Sequence, residues 1–176
     1  MNMFLSYKKK LPNLQKKIFV APGAYIIGDV KIGNKTNIWF NAVIRGDVEK
    51  ITIGSNTNIQ DLTMIHCTTK GHGTQIGSNV TIGHNCVIHD CKVENNSLIG
   101  MSSTILDGAI VKKNSMLAAG SLLTQKKVIK TGELWAGKPA KFLRMLTSNE
   151  KRFIRKSADR YYKLSQEYLV NLNKNY

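Results

Sequence analysis

Cysteine, proline and long hydrophobic runs are scarce in this sequence of 176 residues, which has three cysteines and three prolines. An odd number of cysteines without framework spacing does not suit a secreted, disulfide-rich domain, so we expect a reduced, cytoplasmic setting. No apolar segment approaches the roughly 20 residues of a membrane-spanning helix, and we expect no membrane partner. The opening MNMFLSYKKK places its basic run after the apolar patch, the reverse of a signal peptide.

Acidic residues are also few, since 11 Asp and Glu stand against 26 Lys and Arg and leave a net charge of +15. Residues 1–19 hold five lysines and no acid, and residues 126–176 hold thirteen basic and four acidic residues. Residues 20–125 hold eight basic and seven acidic residues, so the body of the chain is nearly neutral. We therefore interpret the charge as a solvated surface and expect no nucleic-acid partner.

Aliphatic residues recur at a spacing of six, with three extra residues, five extra residues and one missing residue at three breaks. Neither an amphipathic helix nor an ordinary sheet keeps such a period, so the pattern predicts a solenoid of stacked coils. The seventeen positions of the series are all Ile, Val or Leu: Val20, Ile26, Ile32, Ile38, Ile44, Ile53, Ile59, Ile65, Ile76, Ile82, Ile88, Val93, Ile99, Ile105, Val111, Leu117 and Leu123.

A second slot lies four residues after most of these positions and holds small or β-branched residues: Ala24, Val30, Thr36, Ala42, Thr57, Val80, Cys86, Ser97 and Ala109. Gly and Asn recur between the slots, as in IGNKTN and IGSNTN, where we expect corners with positive φ. These residues resemble the hexapeptide-repeat family, which implies a left-handed parallel β-helix of triangular section. We therefore predict an all-β solenoid of about five and a half coils.

One face of the predicted coils carries a column of polar residues. Once the insertions are removed, Arg45, His66 and His89 fall in the same slot of successive coils. His66 and His89 are vertical neighbours, because their separation equals one coil plus five residues in the loop TTKGHGT. Side chains that are neighbours on adjacent strands are close enough to share a metal ion.

His84 belongs to the preceding hexad, on the adjacent face near its edge, with Asp61 one coil below in the same slot. It is badly placed to reach an ion held by His66 and His89 of its own chain. A three-fold homotrimer would bring His84 of one chain to the other two histidines of the next. Three imidazoles with one open position make a catalytic site of the zinc type.

Other reactive side chains have simpler interpretations. A single histidine on such a face could also be a surface residue, or the general base of an acyltransferase of this fold. His72, in the loop TTKGHGT, is interpreted as a solvated loop residue. Cys67 and Cys91 could compete as soft metal ligands, whereas Cys86 occupies the small inward slot and is predicted to be core.

The resemblance narrows in four segments, WFNAVIRGDVEKITIGSNTNIQDLTMIH, TIGHNCVIHDC, LIGMSSTILDGA and LWAGKPAKFLR. Over roughly residues 18–146 the chain resembles the γ-class carbonic anhydrase family. The resemblance implies that His66, His84 and His89 bind zinc, or alternatively iron or cobalt, between the subunits of a homotrimer.

The same resemblance implies roles for four polar residues. Arg45 and Asp47, of the motif RGD, would form an ion pair that orders the site. Gln60 and Asp61, of NIQD, would orient the water on the metal. The metal would lower the pKa of that water to about 7, so that hydroxide attacks CO2 and gives bicarbonate. A proton must then leave through a group that titrates near neutrality.

The sequence departs from the active members of that family at the proton exit. Val48 stands where they carry a Glu after the RGD motif, and the loop TTKGHGT has no acid. Glu49 is displaced by one residue, and His72 is a conceivable substitute. The sequence therefore supports metal binding more strongly than fast CO2 hydration.

A C-terminal helix is predicted over residues 147–173, after a basic segment at 1–17 and the β-helix at 18–146. It opens with the capping-box pattern TSNE at 147–150. In SADRYYKL, Tyr161 matches a family tyrosine near the site, but Ser157 stands where Asn is usual, and packing is the alternative role for Tyr161. A helical stripe would pack on the β-helix: Ile154, Ala158, Tyr161, Leu164, Tyr168 and Leu172.

Two other functions stay open at this point. One is a CoA-dependent acyltransferase of the hexapeptide-repeat fold, which would use one histidine as its base and need no metal. The other is a structural or assembly protein with a vestigial metal site, which Val48 and the acid-free loop allow.

Overall fold

The computed structural model describes residues 3–174, which form short strands followed by one long helix. In chain order these elements are β1 (Phe4–Leu5), β2 (Asn13–Leu14), β3 (Phe19–Val20), β4 (Tyr25–Ile32), β5 (Asn37–Ile38), β6 (Val43–Ile53), β7 (Asn58–Ile59), β8 (Met64–His66), β9 (Thr74–Ile76), β10 (Thr81–Ile82), β11 (Val87–His89), β12 (Lys92–Val93), β13 (Leu98–Ile99), β14 (Thr104–Ile105), β15 (Ile110–Val111), β16 (Met116–Leu117), β17 (Leu122–Leu123), β18 (Val128–Ile129), β19 (Glu133–Gly137), β20 (Ala140–Met145) and α1 (Ser148–Lys174).

The strands stack in parallel into three faces of a prism, which we call faces A, B and C. Strands β4 and β6 bend around one corner, so faces A and B form one continuous sheet. The stacked positions are Phe4, Ile26, Ile44, Ile65, Ile88, Ile105 and Leu123 on face A; Leu14, Ile32, Ile53, Ile76, Val93, Val111 and Ile129 on face B; and Val20, Ile38, Ile59, Ile82, Ile99, Leu117 and Trp135 on face C.

The predicted all-β solenoid is confirmed, but it has about seven turns. Ile129 and Trp135 continue the six-residue spacing beyond the counted series, and Phe4 and Leu14 begin a further coil. Strands β1 and β2 pair with β4, so regular stacking extends ahead of residue 18. Met1 and Asn2, of the predicted N-terminal segment, lie outside the described residues.

The repeat is explained by burial along the axis of the prism. Sixteen of the seventeen predicted aliphatic positions are at most 3% exposed, and only Val20 is intermediate. All nine residues of the second slot are at most 1% exposed. Burying an Ile side chain contributes about 1.5–3 kcal/mol, so a charge at a central position such as Ile65 would break the stack.

Gly and Asn were both expected at corners with positive φ, but at the stacked corners they have different roles. Asn56, Asn79 and Asn96 adopt positive φ and stack, with amide hydrogen bonds of 3.0 and 3.2 Å. Gly54 does not have positive φ, but a Cβ there would lie 2.5 Å from the backbone of Gly77 in the next coil. In these coils Asn therefore supplies the left-handed turn and Gly permits the close approach of stacked coils, whereas Gly108 and Gly120 take the positive φ at later corners.

Helix α1 begins with the predicted capping box, and it packs on face C against β3, β5, β7 and β10. Ile154 and Ala158 are buried, but Leu164 is 36% exposed and Ser165 takes the buried position beside it.

The final strand pair, β19 and β20, is antiparallel and ends the stack, which the repeat did not predict. Over residues 3–174, no helix is both long enough and apolar enough to cross a membrane.

Candidate metal centre

The first group of site residues, which we call the column patch, consists of Arg45, Asp47, His66, His89 and Asp107. Strands β8 and β11 pair in register on face A, and His66 lies directly opposite His89. The alternation of a strand sends both imidazoles outward while Ile65 and Ile88 point into the core. The predicted vertical pair is therefore present.

The two imidazoles face each other through one nitrogen each. His66 Nδ1 lies 3.3 Å from His89 Nε2. The opposite nitrogens contact carboxylates, with His66 Nε2 at 2.9 Å from Asp47 and His89 Nδ1 at 2.6 Å from Asp107. A carboxylate accepts hydrogen bonds, so each neutral ring places its single N–H on the carboxylate side. Both facing nitrogens then present lone pairs, an arrangement that a cation between them would stabilise.

Asp47 is held from two sides, one of which is the ion pair with Arg45 that the family resemblance implied. Its carboxylate contacts Arg45 as well as His66. Partial burial acts to raise the pKa of Asp47, but the hydrogen bonds with His66 and Arg45 outweigh it and lower the pKa. Asp47 is therefore a carboxylate at neutral pH, and its charge favours the N–H on His66 Nε2.

Asp107 was missed by the sequence reasoning, although its segment LIGMSSTILDGA carried the family resemblance. It follows β14, one coil beyond β11 on face A, and its carboxylate contacts both Thr68 and His89. The hydroxyl of Thr68 and then the contact with His89 lower the pKa of Asp107 against partial burial. Asp107 lies two residues after Ile105, which pairs with Ile88, so it falls one position beyond the slot that His66 and His89 share.

The second group, which we call the edge patch, consists of Gln60, Asp61, His84 and Tyr161. His84 and Asp61 lie in stacked turns where face C passes into face A, and His84 Nδ1 is 2.8 Å from Asp61. Gln60 is buried and its Nε2 donates to Asn58 over 2.9 Å. These residues are brought together, but they are not joined to the column patch.

Helix α1 completes the edge patch. Tyr161 packs edge-on against Trp39 with ring centroids 5.6 Å apart, and burial raises the pKa of its hydroxyl. Ser157 is buried and lies 3.2 Å from the hydroxyl of Thr81. A groove of about 260 Å³ runs between the helix and face C, and Gln60, His84 and Tyr161 lie on its wall. The packing role of Tyr161 is thus observed, and its catalytic role stays a prediction.

The cysteines are poor candidates for ligands. Cys67, Cys86 and Cys91 are all buried, and burial raises the pKa of each thiol, that of Cys86 to about 11. The core position predicted for Cys86 is confirmed. His72 is exposed in its loop, as predicted. Within residues 3–174, no three His, Cys, Asp or Glu side chains of one chain are grouped so that they could hold a metal ion.

Comparison with known proteins places the repeat and the motifs in one family. The model described as hexapeptide repeat of succinyl-transferase matches residues 91–125. Gamma carbonic anhydrase 2, mitochondrial, of Arabidopsis thaliana is 48% identical over 171 residues, 94% of this chain. The chain spans 60% of the length of that relative.

Two further relatives match over nearly their whole length. The Methanocaldococcus jannaschii protein named "Probable carbonic anhydrase" is 48% identical over 153 residues, 87% of this chain and 96% of the relative. The crystal structure of a hexapeptide transferase family protein from Anaplasma phagocytophilum has 49% identity and a TM-score of 0.91, covering 94% of this chain and 98% of that chain. The chain belongs to the γ-class carbonic anhydrase family of hexapeptide-repeat proteins.

Proposed function

We propose that the column patch of one chain and the edge patch of the next form a zinc-type metal centre in a homotrimer, and that this centre hydrates CO2 to bicarbonate. The observation that carries the proposal is the pair of imidazole nitrogens of His66 and His89, 3.3 Å apart with a carboxylate behind each ring. The family membership supports the same reaction, since relatives at 48% identity are named carbonic anhydrases.

The nitrogen pair fits a metal of this type. Two nitrogen ligands at about 2.0–2.1 Å from a tetrahedral zinc ion lie about 3.3–3.4 Å from each other. His66 Nδ1 and His89 Nε2 have that separation without any rearrangement. Two ligands are too few for a catalytic zinc, which usually takes three from the protein. His84 supplies the third only if it comes from another chain.

The separation within one chain follows from strand geometry. His84 precedes β11 and His89 ends it, so the chain crosses face A from one corner toward the other over the five-residue step between them. An extended chain rises about 3.3 Å per residue, so the two rings are held several ångströms beyond the reach of a common ion. His84 instead pairs with Asp61 at the edge.

Exposed apolar side chains flank the edge patch and suit a contact with a second copy of the chain. Leu62, Val87 and Met101 are 60%, 41% and 54% exposed. Leu62 and Met101 lie at the corner that carries His84, and Val87 begins β11 just after it. Leu62 also has a φ of 62°, a costly backbone conformation for a branched residue. Burying these side chains in a trimer would bring His84 toward the neighbour's column patch.

When bound, the metal supplies a Lewis acid that makes water a nucleophile near neutral pH. His66, His89 and the neighbour's His84 would hold it. Asp47, fixed by Arg45, keeps His66 oriented. Gln60 is fixed by Asn58 through its Nε2, which leaves Oε1 to accept a hydrogen bond from water in the groove. Asp61 holds His84 through Nδ1 and so leaves Nε2 free.

The test combines metal analysis, light scattering and a CO2-hydration assay on protein loaded with zinc or with iron. We expect a trimer with three metal ions and hydration that depends on them. A stable monomer that binds one metal ion tightly would contradict the shared site. A metal-loaded trimer without hydration, even in strong imidazole buffer, would favour the structural role. Acyl-CoA turnover without metal would favour the acyltransferase.

A further inference from the structure

We propose that Asp107 is a positioning residue that fixes the tautomer and orientation of His89 and links this ligand to the insertion loop through Thr68. The inference rests on the proposed metal centre, and it adds a residue and a loop contact to it. The three histidines then each have their own carboxylate, namely Asp47 for His66, Asp61 for His84 and Asp107 for His89.

The contact of Asp107 with His89 determines which nitrogen is presented to a metal. Asp107 Oδ1 lies 2.6 Å from His89 Nδ1, so a neutral ring donates from Nδ1 and leaves Nε2 without a proton. That Nε2 is the atom 3.3 Å from His66 Nδ1. Without the carboxylate, the N–H of a neutral imidazole could move to Nε2 and occupy the metal-facing position.

Asp107 itself is held by its second oxygen and by its backbone. The hydroxyl of Thr68 donates to Oδ2, so the carboxylate cannot rotate freely away from His89. The carbonyl of Asp107 accepts from the backbone of Lys126 over 3.0 Å, which ties it to the next coil. Asp107 is therefore a fixed support, unlike a carboxylate on a long exposed side chain.

The loop that carries Thr68 is also anchored at its other end. Asp90, buried at 4% exposure, accepts from the backbone N–H of Gly73 over 2.9 Å and of His72 over 3.3 Å. Gly71 packs against the same carboxylate so closely that a Cβ would lie 2.4 Å from Asp90. With both ends fixed, the acid-free loop holds Thr68 against Asp107, a positioning role that needs no carboxylate in the loop.

Four substitutions test the chain of contacts. Asp107→Ala removes the contacts with His89 and with Thr68. The loss of such a support typically weakens metal binding about 10–100-fold. Asp107→Asn can still accept from Nδ1 but lacks the charge, so its affinity should lie between those of Asp107→Ala and wild type. Thr68→Val keeps the shape and loses the donor, and it should weaken binding less than Asp107→Ala. Thr68→Ser restores the hydroxyl and should restore wild-type affinity.

The readouts are the cobalt dissociation constant from chelator competition, the cobalt absorption spectrum, and the nitrogen NMR shifts of His89 in the metal-free protein. We expect His89 to carry its proton on Nδ1 in wild type and to become a mixture of tautomers in Asp107→Ala. Unchanged shifts and affinity in folded Asp107→Ala would overturn the proposal. If that variant does not fold, equal affinities of Asp107→Asn, Thr68→Val and wild type would overturn it instead.

Failure of this inference differs from failure of the proposed function. A wild-type protein that binds neither zinc nor cobalt would contradict the metal centre. The tautomer of His89 in metal-free protein would still show whether Asp107 fixes the ring. Conversely, a metal-loaded active trimer in which Asp107→Ala binds cobalt as tightly as wild type would leave the function in place and remove Asp107 from it.

Discussion

The column patch and the edge patch contain the same kinds of side chain, imidazole and carboxylate, but they differ in what one chain can do with them. In the column patch two adjacent rungs of one chain place His66 Nδ1 and His89 Nε2 3.3 Å apart. The edge patch has one histidine at a corner and depends on α1 for part of its wall. Stacking can therefore place two potential ligands side by side within one chain, while in the proposed trimer the third would come from a neighbouring prism.

The largest effect is expected from deleting ligands on either side of this division. His66→Ala, His84→Ala and His89→Ala should each lose tight metal binding, since each leaves two of three imidazoles. Mixed trimers built from two different variants should differ in how many complete sites they contain. Random trimers from His84→Ala and His66→Ala chains should recover about one quarter of the sites, because each chain supplies the half that the other lacks.

The matched control is a mixture of His66→Ala and His89→Ala chains. Both substitutions lie in the column patch, so no arrangement of these subunits restores a complete site. Metal content after refolding each mixture is the measurement. Equal recovery in both mixtures would show that the two patches do not come from different chains. Full metal occupancy in two of the three single variants would show that the ligand set is wrong.

The fold and the pair of histidines in the column patch could be predicted from sequence, because both follow from the six-residue spacing of the aliphatic positions. A period of six with known insertions fixes which residues stack, and His66 and His89 could be aligned without coordinates. Asp107 could not be found in the same way, since it lies one position beyond the shared slot. Its contacts depend on the path of the turn after β14 and on the loop that carries Thr68.

The two ends of the prism could not be predicted from the six-residue spacing either. The first coil begins at Phe4, but its next rung is at Leu14, ten residues later, so the spacing of six gave no sign of it. The last pair, β19 and β20, is antiparallel, and a parallel repeat carries no information about a reversal. Burial along helix α1 likewise depends on the shape of face C, which places Ser165 inward and leaves Leu164 partly exposed.

A smaller effect is expected from restoring an acid beside the column patch. Val48 is 38% exposed and directly follows Asp47, so a carboxylate there could carry protons without disturbing the core. Val48→Glu should raise CO2 hydration in weak buffer by roughly tenfold or more and reduce its dependence on imidazole. His72→Ala should lower the weak-buffer rate only if that loop histidine already serves as the shuttle. An unchanged buffer dependence in metal-loaded Val48→Glu would show that proton export does not limit the rate.

At the edge patch, substituting Leu62 should raise the stability of the isolated chain and weaken the association of the trimer. Its positive φ costs about 1–2 kcal/mol for a residue other than Gly or Asn, so Leu62→Asn should stabilise the isolated chain by up to about 1 kcal/mol. The same change removes an exposed apolar side chain and should weaken the trimer. Asn85, at the same corner of the next coil with a φ of 56°, is the control, because Asn85→Leu should destabilise the chain. Urea unfolding and light scattering on dilution measure the two effects, and a tighter trimer in Leu62→Asn would contradict this contact.

The smallest effect is expected at the start of α1, which supports the edge patch and not the column patch. Thr147 Oγ1 accepts from the N–H of Glu150 over 3.2 Å, and Glu150 accepts from the N–H of Thr147 over 2.8 Å. Thr147→Ala should cost about 1 kcal/mol of stability, while Thr147→Ser should be nearly neutral. Hydrogen exchange should rise first in the opening turns of the helix, ahead of Ser157 and Tyr161. Equal exchange in Thr147→Ala and wild type would show that this cap does not control the helix.

The same cap gives the start of the helix a pH dependence of its own. Hydrogen bonds from Arg144, and then from Thr147, lower the pKa of Glu150 from 4.5 to about 2. A group with a lowered pKa in the folded state stabilises fully above its unfolded pKa and loses that contribution as pH falls through the folded value. Thermal unfolding should therefore separate wild type from Glu150→Gln at pH 6, and the gap should close as the pH falls from about 4.5 toward 2. Because Glu150 is exposed and screened by water, the gap should be small, and a gap that widens on acidification would have the wrong sign for this cap.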